Sequence, residues 1–225
     1  MATLTYHGHS CFHLVTGDGT RILFDPWLDE NPKADISADE IGELDYILVT
    51  HGHFDHYQDC LKIAKATNAQ VISTFEVVSH LGGQGYENVH GMNIGGGYDF
   101  PFGRVKLTIA HHTGFIEEGF YAAPAGFLIH FKDGKRLYNA GDTALTLDMQ
   151  LLRGEVDVAL LPIGDNFTMG PEDAARAVDF VEAETVVPMH YGTFPPIEVD
   201  PQEFVRAVGD RARVEVMEPG GTLEL

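Results

Sequence analysis

Thiols are almost missing from this chain. Cys11 and Cys60 are the only cysteines in 225 residues. They form no C-x-x-C and no zinc-ribbon spacing. Two free, mostly buried thiols in a reducing cytoplasm are expected, which excludes a disulfide-stapled scaffold. Basic residues are scarce as well: 14 Lys and Arg stand against 34 Asp and Glu, a formal charge of −20. A surface of that sign repels phosphate backbones and anionic membranes. Neither nucleic acid nor a membrane is therefore expected as a partner, and a small-molecule substrate is. No apolar run approaches 18 residues, so no membrane-spanning helix is expected. The opening MATLTYHGHS has neither the basic nor the apolar stretch of a secretory leader, which again points to the cytoplasm. Low-complexity linkers and short repeats are missing too, and one domain over residues 1–225 is the expectation.

What the chain does have is histidine, 12 residues in all, three of them within six positions in THGHFDH at 50–56. The flanking pattern says where they lie. LDYILVT (44–50) is a continuous apolar run and reads as a strand buried on both faces. YQDCLKIAKAT (57–67) reads as a helix with Leu61 and Ala64 on one face. TLTYHGHSCFHLVT and RILFD flank the turn Gly17-Asp18-Gly19 and read as a hairpin. QVIST is a short strand, and the glycine-rich stretch 82–97 reads as loop. Val105, Leu107 and Ile109 alternate with polar residues, the mark of a half-buried strand. GFLIHF and KRLYNA are joined at Asp133-Gly134, a strong hairpin signal. DVALLPI and TVVPM are buried strands. PEDAARAVDFVEAE is a helix with Pro171 near its start. A second helix starts at Asp200-Pro201 and stops at Gly209. VEVM and TLEL close the chain as strands. Strands with interspersed helices and hairpins in both halves predict an α/β protein with mixed sheets.

Chemistry follows from spacing. In an extended segment, residues two apart face the same way, so His51 and His53 can grip one cation. Asp55 and His56, past the bend, can face a second position. None of these is expected within a helix. The end of a buried strand is where α/β sheets place their sites. His7 and His9 are expected on one strand face. Asp165 and Asn166 follow a buried strand, which suits either the site or a structural loop. Phe115, Phe120 and Tyr121 suit a pocket wall, a contact between copies in a homo-oligomer, or aromatic core. His13, His80, His90 and His130 match no ligand position. No G-x-x-x-x-G-K-[ST] and no G-x-S-x-G occurs, so neither a phosphate cradle nor a nucleophile elbow is expected.

HGHFDH matches the H-x-H-x-D-H signature of the metallo-β-lactamase superfamily. YHGHS, FDPW (24–27), the His111-His112 pair, AGDT (140–143), PIGDNFTMGPEDA (162–174) and VPMHYGTFP (187–195) follow in the family's order. They resemble the metal-dependent hydrolase subgroup similar to the L-ascorbate-6-phosphate lactonases. The resemblance implies a four-layer αβ/βα sandwich with two mixed sheets and two adjacent divalent metal ions. Zinc or manganese suits a histidine and carboxylate set best, with iron or nickel as alternatives. His51, His53 and a histidine of the 111–112 pair would hold one metal, and Asp55, His56 and His190 the other, with Asp142 bridging. Strand parity favours His111 as the third ligand; the family pattern favours His112, which we adopt. His9 is a candidate for contacting substrate or protonating the leaving group, or else a hydrogen-bonded strand-end histidine. Asp55 is a ligand first and a proton shuttle second. Asp25 would orient a ligand histidine. The implied reaction is metal-assisted hydrolysis of a small ester, lactone or phosphodiester by hydroxide formed at the metals. A redox diiron protein of the same superfamily and a non-catalytic metal-bound binding module are the rivals. The diiron relatives put an acid where this chain has His53.

Overall fold

The structure is a computed structural model that describes residues 2–117 and 119–225. Two compact units divide the chain. The first comprises Met1–Gly96, Thr113–Pro124 and Glu218–Leu225, the second Gly97–His112 and Ala125–Met217.

The first unit holds β1 (Thr3–Tyr6), β2 (Phe12–Val15), β3 (Arg21–Phe24), β4 (Tyr46–Leu48), β5 (Gln70–Thr74) and β6 (Val89–Met92). The second unit contributes β7 (Gly97–Phe100) and β8 (Gly103–Ile109), and the chain then returns to the first for β9 (Phe115–Glu117) and β10 (Phe120–Tyr121). Back in the second unit lie β11 (Ala125–Phe131), β12 (Arg136–Asn139), β13 (Val158–Pro162), β14 (Thr185–Met189) and β15 (Arg213–Val214); β16 (Thr222–Glu224) belongs to the first.

Each unit has a seven-stranded mixed sheet, in the orders β16-β1-β2-β3-β4-β5-β6 and β15-β14-β13-β12-β11-β8-β7. The plan is the same in both. Three antiparallel pairings pass into three parallel ones: β3–β4–β5–β6 in the first sheet and β12–β13–β14–β15 in the second. Parallel neighbours require crossovers, and helices supply the core there. In the first unit α1 (Phe54–Tyr57), α2 (Cys60–Thr67) and α3 (Phe75–Gly83) follow β4 and β5. Cys60, Ile63, Ala64, Val77 and Leu81 pack with Leu23, Ile47, Val49 and Val71. In the second, α4 (Pro171–Val181) and α5 (Pro201–Val208) bring Ala174, Val178, Val181, Phe204 and Val208 into one core with Leu161 and Val186. Full burial of each valine here is worth roughly 1.5–3 kcal/mol.

Several expectations are corrected. TLTYHGHSCFHLVT is two strands, because the chain reverses at Gly8 (φ +95°) and His9 (φ +58°) and the Cys11 N–H donates to the Gly8 carbonyl at 3.0 Å. His7 and His9 therefore share no strand face. The helix over 57–67 is interrupted: α1 ends at Tyr57 and α2 begins at Cys60. Asp55 and His56 lie inside α1, not in a loop; one helical turn is short enough that strand-end spacing conceals it. The stretch 82–97 is not all loop, since α3 runs to Gly83 and β6 pairs with β5. VEVM contributes only Val214 to β15. Cys11 and Cys60 are free and buried, as expected. No helix among the described residues is long and apolar enough to cross a membrane.

Candidate metal centre

In the first unit the site is organised by Asp25, at the C-terminal end of β3 with φ +44° and fully buried. It accepts three hydrogen bonds: from the Thr50 N–H at 2.7 Å, from the Thr50 hydroxyl at 2.8 Å and from His56 Nδ1 at 2.9 Å. Burial pushes the Asp25 carboxyl up, and the His56 and Thr50 donors pull it back. The donor inventory then fixes two tautomers. With Asp25 ionised the carboxylate only accepts, so His56 carries its proton on Nδ1 and presents Nε2 as a lone pair. The single Thr50 hydroxyl proton goes to Asp25, so Thr50 Oγ accepts from His51 Nδ1, 3.0 Å away. His51 Nε2 thereby becomes a lone pair too. It lies 3.0 Å from His53 Nδ1, a spacing at which one nitrogen donates to the other or both face a cation.

His9, Asp55 and His56 each offer an atom within 4.8 Å of the others. His9 Nε2 is 3.1 Å from Asp55 Oδ2, and its ring stands edge-on to Trp27. The His51 and His56 ring centroids are 4.2 Å apart. Between the two histidines Gly52 lets Ile116 of β9 pack against the backbone: a Cβ there would meet Ile116 Cγ1 at 2.2 Å. Asp59 accepts the Leu28 and Asp29 N–H groups at 2.6 and 3.0 Å, which holds the FDPW loop against the start of α2.

In the second unit Asp142 follows β12 and is buried. Its Oδ2 is 2.9 Å from His190 Nε2 and 3.5 Å from His112 Nε2. His190 ends β14 with φ +57°. His111 points elsewhere: its side chain is 60% exposed and stands 3.7 Å from Asp148. The parity argument for His111 fails because the apolar face ends before it; Ile109, on the same parity as Val105 and Leu107, is already exposed. Thr143 ties the segments together, accepting the His111 N–H on its hydroxyl at 3.0 Å and the Met169 N–H on its carbonyl at 3.0 Å.

His51, His53, Asp55, His56 and His9 are thus grouped in one unit, and His112, Asp142 and His190 in the other. His51 and His53 follow parallel β4, Asp142 follows β12 and His190 follows β14, whereas His9 and His112 follow the antiparallel strands β1 and β8. The donors suit a divalent cation: imidazoles, two of them with Nε2 left as a lone pair, and carboxylates without thiolate. Burial pushes both thiols far up, so neither is a nucleophile near neutral pH. Thr50 was not singled out by sequence reasoning, although a hydroxyl directly before the first histidine of a strand-end cluster is a usable signal. Phe115, Phe120 and Tyr121 are exposed on the β9–β10 ribbon and are not core.

Residues 20–191 match the β-lactamase superfamily domain. UPF0173 metal-dependent hydrolases of Shouchella clausii and Bacillus thuringiensis are each 48% identical, over 229 and 231 residues and 99% of both chains. Among solved structures, a metallo hydrolase from the hyperthermophilic archaeon Ignicoccus hospitalis is 40% identical with a TM-score of 0.90, over 100% of this chain and 99% of its own.

Proposed function

Because the chain belongs to the metallo-β-lactamase superfamily and, within it, to the UPF0173 metal-dependent hydrolase family, we propose that it hydrolyses a small ester, lactone or phosphodiester with two divalent metal ions. His51, His53 and His112 would hold one ion, Asp55, His56 and His190 the other, with Asp142 shared. Zinc or manganese fits this donor set best. Bound there, the metals would supply an acidified water and polarise the substrate oxygen.

The observation that carries the reading is the Asp25–Thr50 relay. A buried carboxylate that locks His56 directly and His51 through a hydroxyl leaves both Nε2 lone pairs ready, which is the work of a ligand-orienting group. The other residues follow from their contacts. His9 Nε2, held against Asp55 Oδ2, keeps a proton that can pass to a leaving oxygen, with Asp55 as its acceptor-side partner. Trp27 and Phe54, edge to face at 5.7 Å, wall the α1 end of the cluster with apolar surface. The formal charge of −20 supports a small substrate over nucleic acid or a membrane surface. The exposed ribbon aromatics suit either a substrate wall or contact with a second copy of the chain.

The test is elemental analysis of protein purified without added metal, followed by turnover of ester, lactone and phosphodiester panels after zinc, manganese, iron or nickel is restored. Two metals per chain and turnover with zinc or manganese are expected. Loss of activity when zinc replaces iron supports the redox diiron rival. A fully loaded protein that turns over nothing and retains a ligand supports the binding module. Full metal content and activity in His190→Ala sinks the two-metal reading.

A further inference from the structure

Positive backbone φ marks this site. Among the described residues, seven non-glycine positions have it: His9, Asp25, Asn68, Asp165, Asn166, Glu182 and His190. Asn68 and Glu182 are helix C-caps, where the left-handed conformation is ordinary. Of the remaining five, His9, Asp25 and His190 belong to the candidate centre. The other two are the consecutive pair Asp165-Asn166, in the loop between β13 and α4. Such conformations persist where the surroundings over-determine them, and they gather at functional sites.

The loop's place in the sheet is specific. β13 lies between β12 and β14, so the loop leaves the sheet between the strand ends that carry Asp142 and His190. It is fastened on both sides. Gly164 packs so close to His190 that a Cβ would stand 2.1 Å from the His190 carbonyl oxygen. Met169 donates its N–H to the carbonyl of Thr143, the residue after Asp142. Between these anchors the Asp165 N–H bonds the Met169 carbonyl at 3.0 Å and the Thr168 N–H bonds the Asp165 carbonyl at 2.8 Å. The result is a rigid loop whose tip, Asp165 to Phe167, is exposed. Thr168 spends its hydroxyl proton on the Met169 carbonyl, Asp165 can only accept, and Phe167 is apolar. The Asn166 carboxamide is therefore the tip's available side-chain N–H donor.

We propose that Asn166 is a substrate-binding residue that donates Nδ2–H to the oxygen on which negative charge develops. This rests on the hydrolytic reading for the identity of that oxygen; the fastening of the loop does not. A neutral amide is suited to the task, because it adds a donor without adding a cation among acidic ligands.

The experiment compares wild type with Asn166→Gly, which keeps the left-handed backbone without a carboxamide, and Asn166→Asp, which keeps the shape without a donor. Each is loaded with zinc, and zinc content is measured by elemental analysis. Inorganic phosphate, a tetrahedral oxyanion, is titrated calorimetrically, and kcat and KM are taken on any substrate the panels yield. Unchanged zinc content with phosphate affinity reduced roughly 10- to 100-fold in both variants is expected, the loss of one charge-assisted hydrogen bond. Phosphate affinity in Asn166→Gly equal to wild type overturns the proposal. So does loss of zinc in the variants, which makes the residue structural, and so does a wild type that binds no phosphate. If wild type binds phosphate through Asn166 but hydrolyses nothing, Asn166 stands as an anion-binding residue and the hydrolytic reading falls.

Discussion

Replacing Asp25 by Asn should disarm two histidines at once. Asp25 Oδ1 accepts from the Thr50 N–H, and Oδ2 accepts from the Thr50 hydroxyl and His56 Nδ1. Asn offers one acceptor oxygen and one N–H₂. With its oxygen kept toward the Thr50 N–H, the N–H₂ faces two former donors. His56 can then satisfy it only by accepting at Nδ1, which moves its proton to Nε2. The Thr50 hydroxyl must accept as well, so its own proton turns to His51 Nδ1, and His51 also becomes Nε2-protonated. Both lone pairs meant for metal are lost. Disturbing a partner of this kind lowers metal affinity roughly 10–100-fold, about 1.4–2.7 kcal/mol. Losing a charge-assisted hydrogen bond in a fully buried site costs about 1.5–3 kcal/mol of stability. In a chain of this length that lowers Tm by about 3–12 °C. Zinc titration gives the affinity, and the side-chain ¹⁵N spectrum of the metal-free protein shows which ring nitrogen carries each proton. If the Asp25→Asn variant keeps His51 and His56 protonated on Nδ1, with zinc affinity within about twofold of wild type, the relay is refuted.

Other perturbations separate the remaining claims. His112→Ala should lose metal on elemental analysis, whereas His111→Ala, on a side chain that is mostly exposed, should keep it with stability changed by less than about 0.5 kcal/mol. Gly164→Ala forces a backbone shift at His190, so a cost of about 1–3 kcal/mol in denaturant melts should accompany weaker metal binding; unchanged melting would show that the loop yields freely. The half-buried His13 has its pKa pushed down to about 4 by burial, with His7 and Arg21 adding to it. The unfolded chain takes up this proton near pH 6.5 and the folded chain only near 4, so the contribution is intact above pH 6.5 and is lost as pH falls toward 4. After screening this is about 1–2 kcal/mol. Denaturant melts at about pH 7.5 and 5 should show a smaller drop for His13→Gln than for wild type, and equal drops would contradict the assignment.

Much of the architecture was legible because periodicity is local. The β11–β12 hairpin at Asp133-Gly134, the buried β13 and the α4 stripe behind Pro171 were each marked by a few adjacent residues. The errors arose where a short apolar-polar pattern is ambiguous. TLTYHGHSCFHLVT reads as one strand until the left-handed His9 reverses it, and α1 is too brief to show a helical period. The likeness between the plans of the two sheets leaves no repeat in the sequence, since strand pairing depends on backbone register and not on matching residues. The motif order identified the superfamily; the finer likeness to L-ascorbate-6-phosphate lactonases is not carried by the hydrolase relatives.

By itself the sequence determined the donor chemistry: a histidine and carboxylate set without thiolate, placed after buried strands on a strongly acidic chain. Those are properties of residue type and spacing. Only the tertiary structure decided which nitrogen His51 and His56 present, because a tautomer is set by the group opposite it, and Asp25, Thr50 and His56 meet only when β3 and β4 pair. The same holds for His111 and His112. Adjacent in the chain, they are separated by the turn of the backbone after β8, which exposes one ring and carries the other to Asp142.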